Sequence, residues 1–215
     1  MRILGVDPSQ NLGLALLVDG TFTHGEVISA RGPETIRVLA ERFGGVLLEL
    51  APDLVAIEEP RVDHSMWTKK SGLTTEQAIS HTRSKQAATH QLWRLYSRLA
   101  NECGMRRIPV AWEVTPLEAK GALGAWGMTD AETVEWFNRW HRTALAKGDV
   151  HIARACGAAY RADQDLKLQR AMAEAQEHYT GGKDAADYVA ENWEDDDNDD
   201  DEGDAGGAAE EERGE

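Results

Sequence analysis

The sequence predicts an α/β domain built on a mixed five-stranded sheet flanked by helices. Three observations predict it. Two short apolar runs each end in an acid, Ile3-Leu4-Gly5-Val6-Asp7 and Leu54-Val55-Ala56-Ile57-Glu58. Asp19-Gly20 separates two further runs as a two-residue turn would. Between and after these runs, apolar residues recur at helical spacing.

The elements follow in order. Ile3 to Asp7, Leu12 to Val18 and about Thr21 to Ser29 read as three antiparallel strands, the last two joined at Asp19-Gly20. Ile36, Leu39, Phe43, Val46, Leu47 and Leu50 share one helical stripe between Pro33 and Leu50, and Pro52-Asp53 stops that helix. The strand Leu54 to Glu58 then returns by a crossover. Residues 60–74 show little periodicity. Glu76 to Cys103 is helical, with Ala88, Leu92, Leu95, Tyr96, Leu99 and Cys103 on one stripe, and Ile108 to Glu113 is the fifth strand. Thr115-Pro116-Leu117-Glu118 starts a capped helix through Leu123, and Thr129 starts another to about Ala146. Residues 149–182 are helical in composition but weakly patterned. After Gly181-Gly182, a last helix spans Lys183 to Asn192.

A chain of 215 residues with 41% hydrophobic residues supports one domain over about 1–193. No apolar stretch approaches the roughly 18 residues of a membrane span, and the first residues lack a signal-peptide layout, so the expected location is the cytoplasm, with no membrane partner. Cys103 and Cys156 have no CxxC spacing and are expected to be free thiols. The formal charge is -15, yet 13 of the 38 acidic residues and one of the 23 basic ones fall in 194–215. The remainder carries only -3, so charge does not exclude a nucleic-acid partner, and Lys69, Lys70, Arg83, Lys85, Arg106 and Arg107 are available for basic patches. The segment 194–215 has too little apolar surface to offset its ordering entropy and is expected to be a disordered acidic tail. A solvating role and mimicry of nucleic acid over a basic groove both stay open for it.

Asp7, Glu58, Asp184 and Asp187 are the candidate site. Acids at the ends of two buried strands, with a further pair three apart on one helical face, are suited to hard divalent cations such as Mg²⁺. Three of the four have a plainer reading. Asp7 precedes Pro8 as a turn-initiating Asp would, Glu58 could be a surface charge, and Asp184 could cap a helix after Gly182. Their co-occurrence favours the site.

Gly5-Val6-Asp7-Pro8-Ser9 with Gly13, Ala56-Ile57-Glu58-Glu59, Lys120 before Gly124 and Gly127, and Asp184-Ala185-Ala186-Asp187 stand in the order found in RuvC-type Holliday junction resolvases. Over most of 1–193 the chain resembles a divergent, phage-type member of that family. The resemblance implies an RNase H-like fold, a homodimer, two Mg²⁺ ions with Mn²⁺ able to substitute, and paired nicking of four-way DNA junctions. Asp7, Glu58, Asp184 and Asp187 match the family's four metal-binding carboxylates. Asp7 would bridge the ions, Glu58 and Asp187 would hold one, and Asp184 would help hold the other. Four crowded carboxylates would also repel one another and raise some of their pKa values. Lys120 matches the motif lysine that contacts phosphate, although a lysine on a short helix also reads as a solvated surface group.

The chain departs from the family at several places. Ala131 stands near the family's second lysine, leaving Arg139 or Arg142 to replace it, and Arg61 stands where an aromatic residue would meet junction bases. Arg61 or Trp67 would take that role by insertion or cation-π contact, though Trp67 also reads as a loop anchor. Residues 132–182 read as a helical insertion in which Trp136, Phe137 and Trp140 pack in the core or a dimer contact. His141 and His151 have no partner spacing and carry no assignment. The helix over 76–103 resembles the family's dimer helix, and its stripe equally suits the monomer core. Two readings of another class remain. Gly5-Val6-Asp7 followed by a hairpin also resembles the first phosphate loop of actin-like and sugar-kinase-like ATPases, without their second loop. The altered lysine and aromatic positions suit a catalytically inactive branched-DNA binder. Forks and flaps are further expected substrates.

Overall fold

The computed structural model describes residues 1–9, 11–60 and 75–180, with side chains 75–83, 112–113, 147 and 178–180 excepted. The chain divides into two compact units, Met1–Leu168 and Gln169–Glu215. The described part of the second is the helical stretch 169–180.

The strands are β1 (Arg2–Asp7), β2 (Asn11–Val18), β3 (Thr21–Ser29), β4 (Leu54–Glu58) and β5 (Val110–Val114), in the spatial order β3-β2-β1-β4-β5. β1 pairs antiparallel with β2 and parallel with β4, so the sheet is mixed, as predicted. Asp19 and Gly20 both take positive φ, 50° and 76°, the geometry a tight hairpin turn demands. The helix α1 (Thr35–Leu50) ends at Ala51 in the left-handed conformation. The Asp53 carboxylate then accepts the Arg2 amide at 2.7 Å, tying the start of β4 to β1.

The helices α2 (Thr75–Met105), α3 (Pro116–Leu123), α4 (Asp130–His141) and α5 (Val150–Thr180) complete the described fold. Capping boxes open α3 at Thr115/Glu118 and α4 at Thr129/Glu132, where sequence places them. The helix expected to run from Thr129 to about Ala146 stops at His141. Arg142 turns left-handed, and Asn138 then bonds Leu145 through both ends of its amide, at 2.8 and 2.9 Å, fixing a loop instead. α5 is one helix across the stretch that is weakly patterned in sequence.

Strand alternation sorts the core into two layers. Leu4, Val6, Leu14, Leu16, Val55 and Ile57 meet α1 and α2 through Leu39, Phe43, Leu47, Leu95, Leu99 and Cys103. The α2 stripe therefore serves the core of the domain. On the opposite face, Ile3, Ala15, Leu17 and Ala56 meet α3, α4 and α5 through Ala119, Leu123, Phe137, Ala155 and Ala159. Residues 150–162, read from sequence as part of an insertion, thus lie in the core. Cys103 and Cys156 are buried free thiols, as expected.

The aromatic residues of α4 behave differently from one another. Phe137 is fully buried, Trp136 is half-buried, and Trp140 is 69% exposed while stacked on Trp136 at 5.6 Å. Of the two expected roles, core or dimer contact, the core holds for Phe137 and not for Trp140, because α4 presents that position to solvent.

Candidate active site

Register brings Asp7 and Glu58 together. β1 and β4 are parallel with Val6 paired to Ile57, so the next residue of each strand, Asp7 and Glu58, stands at the same sheet edge. The two-residue period puts both on the α3–α5 face, with Ile3 and Ala56. Both are buried, at 4% and 8% exposure.

The glycines of the first motif explain what lies over them. A Cβ at Gly5 would collide with the Ala155 carbonyl, and one at Gly13 with the His151 backbone. Without those atoms, α5 rests directly on β1 and β2, and His151 reaches the first acid. His151 Nδ1 donates to Asp7 Oδ2 at 2.7 Å, and Ser9 Oγ lies 3.3 Å from the same nitrogen. Ser9 is itself held by donating to the Asn11 carbonyl at 2.6 Å.

Two cations complete the electrostatics. Arg154, one turn beyond His151 on α5, donates to Asp130 at the start of α4 at 2.7 Å and keeps 30% of its side chain exposed. Lys120, in the last turn of α3, donates to the Met128 carbonyl at 3.1 Å. Burial and the nearby Asp7 charge raise the Glu58 pKa to about 8, against the opposing pull of Arg154 and Lys120. Burial works against the Arg154 charge. The bond to Asp130 and the fields of Asp7, Asp130 and Glu58 outweigh it, holding the guanidinium more firmly protonated than usual.

Asp7 and Glu58 offer a hard cation two buried oxygen donors, and the proton Glu58 retains marks where positive charge is wanted. Among the described residues no group of three or more His, Cys, Asp and Glu side chains is placed to hold a metal. The described pair supplies part of a ligand set for a hard cation.

Asp184 and Asp187 lie outside the described residues, as do Arg61, Trp67, Lys69 and Lys70. Arg83 lies on α2 with its side chain outside the description, and Lys85 is half-buried on the same helix. Asp7, Glu58 and Lys120 are brought to one place. His151 and Arg154 are the residues sequence reasoning missed. Neither has a local partner in the chain, and the one hint is their place at the start of an Ala- and Gly-rich stretch able to approach Gly5 and Gly13. His141, also unassigned, packs against Phe22, Phe137 and Tyr160, and burial lowers its pKa.

No protein-family model matches the chain, and no curated protein matches its sequence. Solved structures do match. Thermus thermophilus RuvC aligns with a TM-score of 0.56 at 20% identity, over 79% of this chain and 97% of that one. T. thermophilus RuvC in complex with a Holliday junction substrate gives the same TM-score and identity, over 78% and 96%. The likeness is one of fold, and the RNase H-like α/β architecture implied by the sequence motifs is the one observed.

Proposed function

We propose that this chain is a divalent-metal-dependent endonuclease that nicks branched DNA, four-way junctions first and forks and flaps second. The observation that carries the reading is the buried Asp7–Glu58 pair at adjacent strand ends of a RuvC-like fold, faced by Lys120 and Arg154. Resolution by paired nicks requires two such sites, hence a homodimer. Cytoplasmic action on DNA, in a phage-infected cell or otherwise, accompanies the reading.

Hydrolysis adds a water oxygen to phosphorus and breaks the P–O3′ bond, whose electron pair stays on O3′. One water proton passes through solvent to that oxygen, leaving a 3′-hydroxyl and a 5′-phosphate. Bound Mg²⁺, or Mn²⁺ in its place, would lower the pKa of the attacking water and offset charge on the phosphate. Asp7 and Glu58 would hold it, and the two-ion count of the sequence reading would need Asp184 and Asp187 in addition. His151 orients the Asp7 carboxylate through Nδ1, as an outer-shell histidine does. Lys120 stands beside Glu58 as a point charge for phosphate.

A groove between α1 and α2 supports a nucleic-acid partner. It holds about 660 Å³ and is lined by His90, Trp93, Arg94 and Arg98, among others. It shares Pro33, Ile36 and Gln91 with a smaller cavity that reaches Ser9, next to the site. Arginines and an aromatic side chain in one groove suit a phosphate backbone and unpaired bases.

The test is a panel of labelled four-way junction, fork, flap and linear duplex in Mg²⁺ or Mn²⁺. Metal-dependent nicks near the branch point are expected, strongest on the four-way junction. Binding without cutting would replace the nuclease with an inactive branched-DNA binder.

A further inference from the structure

We propose that the groove between α1 and α2 is a single-strand DNA site that works without divalent metal. In it Trp93 stacks on one unpaired base while Arg94 and Arg98 hold successive phosphates, so that cutting is directed to branch points with an unpaired arm. The inference rests on the endonuclease reading above and names the part of a branched substrate that the groove takes.

Charge argues for it first. His90, Arg94 and Arg98 follow one another at four-residue intervals and share an exposed face of α2 that lines the groove. On the α1 wall, Arg37 is engaged by Glu34 and Glu41, whereas among the described residues no carboxylate is paired with Arg94 or Arg98. Two permanent cations without partners suit an anionic chain. Their separation along the helix axis is about 6 Å, the scale of one nucleotide step on an extended backbone.

The aromatic group argues next. Trp93 meets the buried Tyr96 edge to face, with centroids 5.5 Å apart, and keeps 37% of its surface exposed. Its ring is held from behind and open toward the groove. In a duplex each base face is covered by its neighbours, so a tryptophan placed here stacks on a base that has left the stack. A cavity of about 660 Å³ is the size that encloses a drug-sized ligand, which means one or two nucleotides of a single strand and no duplex.

Position argues last. The smaller cavity that shares Pro33, Ile36 and Gln91 with the groove ends at Ser9, two residues past Asp7. A strand seated against Trp93 therefore leads toward the acids, and the boundary between paired and unpaired DNA falls near them. A fork or flap has such a strand, whereas the arms of a four-way junction are fully paired.

The experiment measures binding and cutting separately in the full-length protein. Wild type, Trp93→Ala and the double variant Arg94→Ala/Arg98→Ala are titrated into labelled oligo(dT) in EDTA over a range of salt, with thermal melts to confirm folding. Wild type is expected to bind, Trp93→Ala to bind about tenfold more weakly, and the double variant to lower the salt slope of log affinity by roughly 1.4. Photo-crosslinking with an iododeoxyuridine oligonucleotide is expected to mark the peptide that holds Trp93. In Mg²⁺, wild type is expected to cut a fork with an unpaired arm faster than the same fork with that arm annealed, and both variants are expected to lose the difference. No oligo(dT) binding by a wild type that cuts junctions, equal binding by the folded variants, or crosslinks only elsewhere overturns the inference and leaves the nuclease reading standing. Oligo(dT) bound at Trp93 with no DNA cut removes the nuclease reading and leaves the groove as a single-strand binder.

Discussion

The two faces of the sheet are built from different residues and do different work. Under α1 and α2 the layer is made of large side chains, Leu4, Leu14, Leu39, Phe43, Leu47 and Leu99, all fully or nearly fully buried. On the other face Ile3, Leu17 and Phe137 are large too, but the contact with α5 itself is made of small residues, Gly5, Gly13, Ala15 and Ala56 against Ala155, Ala158 and Ala159. A buried Leu or Phe contributes about 1.5–3 kcal/mol of transfer free energy, and an Ala much less. What the small residues provide is close approach of backbones. One face stabilises the sheet, and the other lets a helix come near enough for His151 to meet Asp7.

Truncating the large-residue face gives the greatest loss of stability. Phe43→Ala is expected to cost about 3–5 kcal/mol in denaturant unfolding while leaving metal affinity of the remaining folded protein unchanged. Equal loss of metal affinity would show that the two faces are not separable. On the other face the damage comes from adding atoms. Gly5→Ala forces the new methyl against Ala155 and is expected to cost about 3 kcal/mol, with cleavage lost even where the protein is folded. Full activity in that variant would show that α5 need not touch β1.

Charge separates the faces too. The folded Glu58 pKa of about 8 lies above its ordinary 4.5, so the folded state holds this proton more tightly than the unfolded one. Its contribution to stability is therefore fully present below pH 4.5 and is lost as pH rises through about 8. Without divalent ions, wild type should lose melting temperature across that window relative to Glu58→Gln. Parallel curves for the two proteins would place Glu58 in a more solvated setting. The smallest expected effect is at Lys120, where removal of one phosphate contact in Lys120→Ala should slow turnover about tenfold with little change in stability. An unchanged rate would return Lys120 to the class of surface charges.

The sequence made the large-residue face legible and the small-residue face much less so. Leu39, Phe43 and Leu47 announce a helix by their spacing, and Asp19-Gly20 announces its turn, because both signals are strong and local. Asp7 and Glu58 are legible for a related reason: each ends a buried strand, where a carboxylate needs a purpose. α5 is hard to read because alanine and glycine give little amphipathic contrast, and its packing is decided by Gly5 and Gly13, more than a hundred residues earlier. His151 has no local partner in the chain. Its partner is Asp7, across the fold, so sequence spacing could not reveal it. Spacing alone left Trp140 open between a core and a dimer contact, and the end of α4 exposes it.

The central claim is that Asp7 and Glu58 form the working site of a metal-dependent nuclease for branched DNA. It is tested most directly by comparing wild type and Asp7→Asn on one labelled four-way junction, with binding measured in Ca²⁺ and cleavage in Mg²⁺. Equal binding with cleavage reduced about a thousandfold is the expected result. Cleavage by Asp7→Asn at the wild-type rate would contradict the claim and move the chemistry elsewhere on the chain.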